Sequence, residues 1–231
     1  GTTMGKSSAI ELFRRLEQLN QIGAALSRER DIERLLENIL EAAKALTGAD
    51  AGTLYNMTPD GGALRFEIMR TDSLGIRQGG TTGQRIALPD LPLRRADGSP
   101  NDALVAAYAA IHQRTVNIAD VYAEAGFDFS GTHAFDQRTG YRSQSFLTVP
   151  MRNHEGTVIG VLQLINAIDQ RTGLLGLFSQ ADQRLAESLA SQAAIALSNR
   201  QLVQQLEALF ESFVKLINLA IDEKSPYTGG H

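Results

Sequence analysis

Cysteine is absent from this chain of 231 residues. Its absence excludes disulfide bonds, thiolate metal sites, a cysteine nucleophile and a cysteine redox pair. Long apolar runs are lacking too: the longest covers residues 103–111, whereas a membrane-spanning helix needs about 20 apolar residues. The N-terminus has no basic-then-apolar signal pattern. We therefore expect a cytoplasmic protein without a membrane span.

An excess of one charge is also missing. The chain carries 22 Lys and Arg against 26 Asp and Glu, for a formal net charge of −4. Because both signs are interspersed, nothing favours a nucleic-acid partner or an anionic membrane surface. The length fits one domain with helical extensions, or two small domains.

The first third of the chain combines helical periodicity with a predicted hairpin. Apolar spacings of three and four predict helix over residues 9–46, with a break near 27–31 where Asp31 can cap a second helix and Gly48 can end it. Residues 51–56 and 63–71 predict a hairpin around the turn at 59–62. Residues 72–100 are predicted to be loop with one short strand at 85–88.

The remainder predicts a sheet that ends in a long helix. Asp102 is expected to cap a helix through Ile111, residues 115–118 to form a strand, and 119–143 to form loop and short helix. Strands at 145–152 and 157–168 flank a compact turn, and the second is apolar on both faces, as a central strand is. The fold class is therefore α+β, with one antiparallel sheet of five or six strands, helices at both ends and a long C-terminal helix.

The final helix, predicted over 180–221, would be about 60 Å long. A domain of this size does not need such a helix for its own core, so residues 202–221 require a partner, most simply a second copy of the chain. We predict a homodimer through both terminal helices. Its interface residues are Leu12, Leu16, Leu19, Val203, Phe210, Phe213 and Ile217.

Two motifs accompany the last two predicted strands. One is D-Q-R-T-G-Y-R-S at 136–143 leading into F-L-T-V-P-M at 146–151, and the other is G-V-L-Q-L-I-N at 160–166. Both resemble motifs of the GAF domains of cyclic-nucleotide phosphodiesterases. The resemblance implies a GAF domain over 20–200, preceded by an extension and dimerisation helix at 1–19. The family's N-K…F-x-x-x-D-E signature is incomplete, because Ala167 replaces the lysine that can pair with the aspartate and Gln183 replaces the glutamate.

A cavity is expected between the sheet and residues 115–148, since loops cover that face incompletely. Phe127 can stack on a planar ligand and Asp128 can accept a hydrogen bond from it; alternatively, these aromatic residues fill the core beneath the loop. The ligand is unknown; it is a cyclic nucleotide or another small molecule. The candidate binding residues are Phe66, Ile118, Asp120, Phe127, Asp128, Phe135, Tyr141, Ser145 and Thr148.

Catalytic constellations are not recognisable in this chain. His112, His133, His154 and His231 have no metal-ligand spacing, and the glycine-rich stretch 79–84 lacks the lysine of a phosphate loop. No serine has a histidine–acid pair at a readable spacing. Within the GAF family, missing cysteines also exclude the usual bilin-binding and methionine-sulfoxide-reducing types. We expect no enzyme activity from this chain itself.

The end of the chain carries a second resemblance. D-E-K-S-P-Y-T-G-G-H at 222–231 is similar to the start of HD-GYP phosphohydrolase domains. It implies that 201–231 is a linker helix followed by the beginning of a catalytic domain that hydrolyses cyclic-di-GMP with metal ions, to which His231 would contribute. The leading hypothesis is a ligand-sensing, dimerising regulatory domain that controls that phosphodiesterase. The alternative is a dimerisation scaffold with a vestigial pocket.

Overall fold

The structure, a computed structural model, describes residues 2–224, with side chains from residue 5 onward. The helices are α1 Thr2–Arg28, α2 Ile32–Thr47, α3 Val105–His112, α4 Ser130–Thr139 and α5 Gln180–Lys224. The strands are β1 Ala49–Met57, β2 Ala63–Thr71, β3 Ile76–Gly79, β4 Leu91–Pro92, β5 Val116–Ile118, β6 Phe146–Arg152, β7 Val158–Ile168 and β8 Leu175–Gly176.

The strands form one antiparallel sheet in the order β3-β2-β1-β7-β6-β5. The two-residue strands β4 and β8 are attached to β2 and β7. This architecture confirms the predicted α+β fold with its long C-terminal helix. It also explains the apolar character of both faces of β7, because this strand pairs with β1 on one side and β6 on the other and is covered from above and below.

The predicted ends of α2 are confirmed. The Asp31 carboxylate accepts a hydrogen bond from the Glu33 N–H at 3.1 Å. Gly48 ends the helix in the left-handed conformation, with φ of 69°, and its N–H bonds the Lys44 carbonyl. The prediction that Asp102 caps α3 is wrong: α3 begins only at Val105, and the Asp102 carboxylate lies 2.8 Å from His112 Nε2 at the other end of that helix.

The prediction of a strand at 85–88 is also wrong. Residues 85–88 form no strand, and the edge of β2 that faces away from β1 pairs with β3 at the end of β2 and with β4 at its start. Strand β3 contains the polar residues Arg77 and Gln78, so its sequence lacks the alternation of apolar residues that would predict a strand. It is held by backbone pairing and by buried Arg70, whose guanidinium donates to the Gln78 carbonyl at 2.7 Å.

Helices cover both faces of the sheet. On the first face, α1, α2 and α5 pack on a core that includes Leu54, Leu147 and Leu162. On the second face lie α3, α4 and the connections around β5, which cover two smaller apolar clusters. We call these the helix face and the lid face.

Helices α1 and α5 run parallel and in contact. The Arg15 guanidinium bonds the Asp182 carboxylate at 3.0 Å, and eight residues later a Cβ on Gly23 would overlap the Gln192 side chain. The end of α1 is therefore level with the middle of α5. Residues 202–224 of α5 extend beyond α1, and all of them are exposed in this chain. Among the helices of residues 2–224, none is long and apolar enough to cross a membrane.

Candidate ligand-binding site

The lid face is built around β5 and the segment that follows it. An apolar cluster lies here, in which Phe129 and Phe146 stack edge to face at 5.5 Å between centroids. Phe127 contacts Tyr108 at 5.3 Å and Phe129 at 6.2 Å. Of the predicted binding residues, Ile118 and Phe127 belong to this cluster. In this conformation Phe127 packs on other aromatic side chains, the arrangement expected of a filled core.

The two predicted acidic ligands lie on the surface of the lid. Asp120 accepts hydrogen bonds from the Tyr122 N–H at 3.0 Å and from Arg142 at 3.2 Å, and both lower the pKa of its carboxyl, the N–H more strongly. Asp128 accepts from the Ser130 N–H at 2.9 Å, and this bond holds the pKa of Asp128 below its usual value. Both groups are thus ionised acceptors that already stabilise the local backbone.

The D-Q-R-T-G-Y-R-S motif is a structural clamp. Buried Asp136 accepts three hydrogen bonds: from the Ser143 N–H at 2.9 Å, the Ser143 hydroxyl at 2.8 Å and the Tyr122 hydroxyl at 2.6 Å. Gly140 ends α4 with φ of 77°, a left-handed value that favours glycine. The motif therefore ties the end of α4 and the lid residue Tyr122 to the start of β6.

Tyr141 and Phe135, two further predicted residues, contact each other edge to face at 6.1 Å. The Tyr141 hydroxyl donates to Asp50 Oδ2 at 2.8 Å, and Asp50 also accepts from the Ser73 hydroxyl at 2.6 Å. Burial, and secondly the bond to Asp50, raise the pKa of Tyr141. These contacts connect α4 to β1 across the edge of the lid.

Two predicted residues lie within β6 and its approach. Ser145 is fully buried, and its hydroxyl accepts from the Ala167 N–H at 3.1 Å. Thr148 is also fully buried and donates to Gln163 Oε1 at 3.3 Å. Phe66 lies apart from them on β2, where its ring packs on Tyr55 at 4.7 Å in the second lid-side cluster.

A polar row crosses the sheet beneath the lid. Thr148 pairs with Gln163 across β6 and β7, and Gln163 pairs with Thr53 across β7 and β1, so the three side chains share one face. All three are buried. The row separates the aromatic cluster around Phe146 from the cluster around Tyr55. An apolar floor with a few fixed polar groups is the usual composition of a small-molecule site.

Sequence reasoning missed Thr53, Gln163 and Tyr55. The available signal was Gln163 itself, an amide within an otherwise apolar central strand. A separate open concavity of about 560 Å³ lies at the far end of the sheet, lined by the β1–β2 and β6–β7 turns and Gln113, and it contains none of the predicted binding residues. Among residues 2–224, no three His, Asp or Glu side chains are grouped to hold a metal ion. His231 lies outside the described residues.

The incomplete family signature has a clear structural counterpart. Asp182 lies in the first turn of α5, where its carboxylate accepts from the Ser179 N–H at 3.0 Å and its own N–H donates to the Ser179 hydroxyl at 3.1 Å. Its cationic partner is Arg15 of α1 at 3.0 Å. Ala167 stands where the resemblance implies a lysine, so here the ion pair of Asp182 is made with the N-terminal helix.

Comparison with known proteins agrees with the fold. The chain is 36% identical over 95 residues to a dual 3',5'-cyclic-AMP and -GMP phosphodiesterase 11A of Takifugu rubripes, covering 41% of this chain and 10% of that protein. It is 28% identical over 200 residues to a cGMP-specific 3',5'-cyclic phosphodiesterase of Drosophila virilis, covering 84% of this chain and 20% of that protein. The chain thus spans only a small part of these relatives.

A solved GAF domain of a phosphoenolpyruvate-protein phosphotransferase from Coxiella burnetii superposes with a TM-score of 0.61 at 16% identity, covering 84% of this chain and 98% of that one. At this identity the likeness concerns the fold alone. The GAF domain family model matches residues 31–197, which is most of the chain. On that match, supported by the sheet order and the helices on both of its faces, the chain belongs to the GAF domain family.

Proposed function

We propose that this chain is a cytoplasmic, ligand-sensing and dimerising regulatory domain of a signalling protein. The observation that carries the proposal is the position of β5, which contacts the lid cluster on one face and α5 on the other. Val116 and Ile118 belong to the lid cluster, whereas Thr115, just before the strand, and Asn117 bond to α5 and the residues before it. Neighbouring residues of a strand face opposite sides, so β5 joins both regions directly.

The contacts to α5 are specific. The Thr115 hydroxyl donates to Glu187 at 2.8 Å. The Asn117 amide donates to the Phe178 carbonyl at 3.1 Å and to the Gln183 side chain at 3.2 Å. A ligand that displaces the lid cluster therefore shifts β5 and, with it, the first turns of α5. The Arg15–Asp182 bond passes the same displacement to α1.

The ligand acts only through its difference in affinity between two conformations. To convert a one-in-a-hundred state into the dominant one takes about 5.5 kcal/mol of differential binding. The polar row of Thr53, Gln163 and Thr148 supplies hydrogen bonds for such a ligand, and opening of Phe127 supplies the space. We propose a cyclic nucleotide or another small planar molecule, in line with the cyclic-nucleotide phosphodiesterases named among the relatives.

A thermal-shift screen tests the sensing proposal, with cyclic AMP, cyclic GMP, cyclic-di-GMP, haem and common metabolites. A ligand at a hundred times its Kd stabilises the folded chain by about 2.7 kcal/mol, which raises Tm by several degrees. We expect Gln163→Leu to abolish the shift and Gln78→Leu, on the distant strand β3, to preserve it. A shift that survives Gln163→Leu contradicts binding over the polar row.

The second candidate is a dimerisation scaffold with a vestigial pocket. The packing of Phe127 against Tyr108 and Phe129 favours it, as does the loss of the signature lysine at Ala167. If no compound in the screen stabilises the chain, this candidate is the one to keep.

We further propose that the regulated partner is a metal-dependent HD-GYP-type cyclic-di-GMP phosphodiesterase. The support is the motif at 222–231 alone, most of which lies outside the described residues. Sequencing the natural gene beyond His231 tests this directly. Absence of the paired histidine and aspartate ligands of that family downstream would reject the catalytic partner while leaving the sensing proposal intact.

A further inference from the structure

The exposed half of α5 carries a heptad repeat whose apolar stripe is wider than the contact between two helices requires. Its core positions, written a and d, alternate at spacings of three and four. Position a holds Val203, Phe210 and Ile217, and position d holds Leu206, Phe213 and Ala220. Phe210 is 67% exposed and Phe213 is 58% exposed. This seam is the one that a second copy of α5 covers in the proposed dimer.

The flanking positions g and e are apolar as well. Position g holds Leu202, Leu209 and Leu216, which are 55%, 66% and 64% exposed. Position e holds Glu207, Val214 and Ile221. In two-stranded coiled coils these positions usually carry Glu and Lys, whose charges face the solvent beside the seam. Here only Glu207 is charged, so a pair of α5 helices would leave two leucine stripes in water.

The opposite side of the helix is polar. It carries Gln204, Gln205, Glu211, Ser212, Lys215, Asn218 and Asp222, interrupted by Ala208 and Leu219. The helix is therefore amphipathic, with four apolar positions of seven on one side. That width suits a helix with two neighbours in a bundle, whereas a strict a and d stripe suits a helix with one neighbour.

No other described segment of this chain covers the leucine stripes. Helix α1 lies beside the first half of α5, since Arg15 and Gly23 are level with Asp182 and Gln192. The stripes repeat every seven residues in the same register as the core seam, so they match a helix with the same repeat. When two pairs of α5 helices form one four-helix bundle, every helix has two neighbours, so each leucine stripe is covered by an adjacent helix and the assembly closes.

We infer that four copies of this chain associate through residues 202–221 of α5, with one dimer seam at positions a and d and a second seam along the leucines at position g. The inference rests on the proposed dimer and extends it. A second pair of α5 helices occupies the remaining apolar face.

Light scattering coupled to size exclusion, with sedimentation equilibrium over a hundredfold range of concentration, tests the inference on the full 231-residue chain. The expected mass is four times the 25.0 kDa of one chain. A triple variant, Leu202→Gln, Leu209→Gln and Leu216→Gln, is expected to halve that mass. The matched triple variant on the polar face, Gln204→Ala, Glu211→Ala and Asn218→Ala, is expected to keep four copies.

The measured mass distinguishes the four-copy assembly from the proposed dimer. A wild-type chain that remains a dimer at all concentrations overturns the four-copy assembly and keeps the proposed dimer, whereas a monomer overturns both. A g-position triple variant that keeps four copies or becomes monomeric, with wild-type helicity by circular dichroism, overturns the assignment of the leucines to a second seam.

Discussion

The two halves of α5 have the same helical periodicity of apolar residues but differ in the size of their apolar side chains. In the first half the buried residues include Ala186, Ala190, Ala193, Ala194 and Ala196. In the second half they are replaced by Leu, Phe, Val and Ile that remain exposed. Small side chains let the first half lie directly against the sheet and α2. Large ones form an apolar surface that no described segment of this chain covers. Side-chain size thus distinguishes the buried half of the helix from the exposed half.

The largest effect is expected from truncating a leucine in each half. Leu189 is 0% exposed and Leu209 is 66% exposed. Leu189→Ala should lower the free energy of unfolding by about 2–5 kcal/mol, because it leaves a cavity in the core. Leu209→Ala should have little effect in urea unfolding at concentrations where the chain is a monomer. Equal losses would mean that both halves are buried within one chain.

The next effect concerns association alone. Phe210→Asp, or Phe213→Asp, places a charge in the predicted seam and should weaken self-association by about 2–4 kcal/mol, the cost typical of an interface hot spot. Light scattering should then report a mass smaller than that of the wild-type chain. Ala208→Asp, on the polar side of the same helix, is the matched control and should leave the mass unchanged. An unchanged mass for both Phe variants contradicts the role of this half.

A smaller effect is expected where α1 joins the first half. In a double-mutant cycle with Arg15→Ala and Asp182→Ala, the coupling between Arg15 and Asp182 should be about 0.5–1 kcal/mol, since the pair is partly exposed and screened by solvent. Asp182→Ala alone should cost more, about 1–2 kcal/mol, because it also removes the bond to the Ser179 N–H. Zero coupling would show that α1 docks independently of the ion pair.

The smallest effect on the free energy of unfolding is expected at Tyr141, on the lid side and away from both halves of α5. Because burial raises the pKa of Tyr141, its phenol stays neutral in the folded chain at pH values where the unfolded chain ionises, above about 10. The free energy of unfolding should therefore fall as pH rises above 10, and less steeply in Tyr141→Phe. Burial also raises the pKa of Tyr55, so some decline persists. An equally steep decline in Tyr141→Phe and in the wild-type chain would contradict the contribution of Tyr141.

Much of the fold follows from local patterns. Asp31 and Gly48 mark the ends of α2 by backbone chemistry that is independent of the rest of the chain, and the two-sided apolar run of β7 indicates a central strand. By contrast, β3 is polar and depends on the edge of β2 and on buried Arg70. Such an element is specified by tertiary contacts, which a local pattern does not contain.

The candidate site was harder to anticipate than the fold. Residue type alone predicts Phe127 and Asp128 as binding residues. In the structure Phe127 packs on neighbouring rings, and Asp128 accepts a hydrogen bond from the Ser130 N–H. The polar row depends on which residues of β1, β6 and β7 lie opposite one another, and register is not visible from one strand alone. The sequence predicts Thr148 as a binding residue, whereas its partners Thr53 and Gln163 are recognisable only from that pairing.

Because Gly23 lets α1 lie parallel to and against α5, the chain enters the domain at one pole and leaves it at the other. Any segment preceding Thr2 and any segment following Lys224 would therefore be more than one domain diameter apart, along nearly the same axis. Modules attached at the two ends would therefore lie in series along this axis, without the chain turning back.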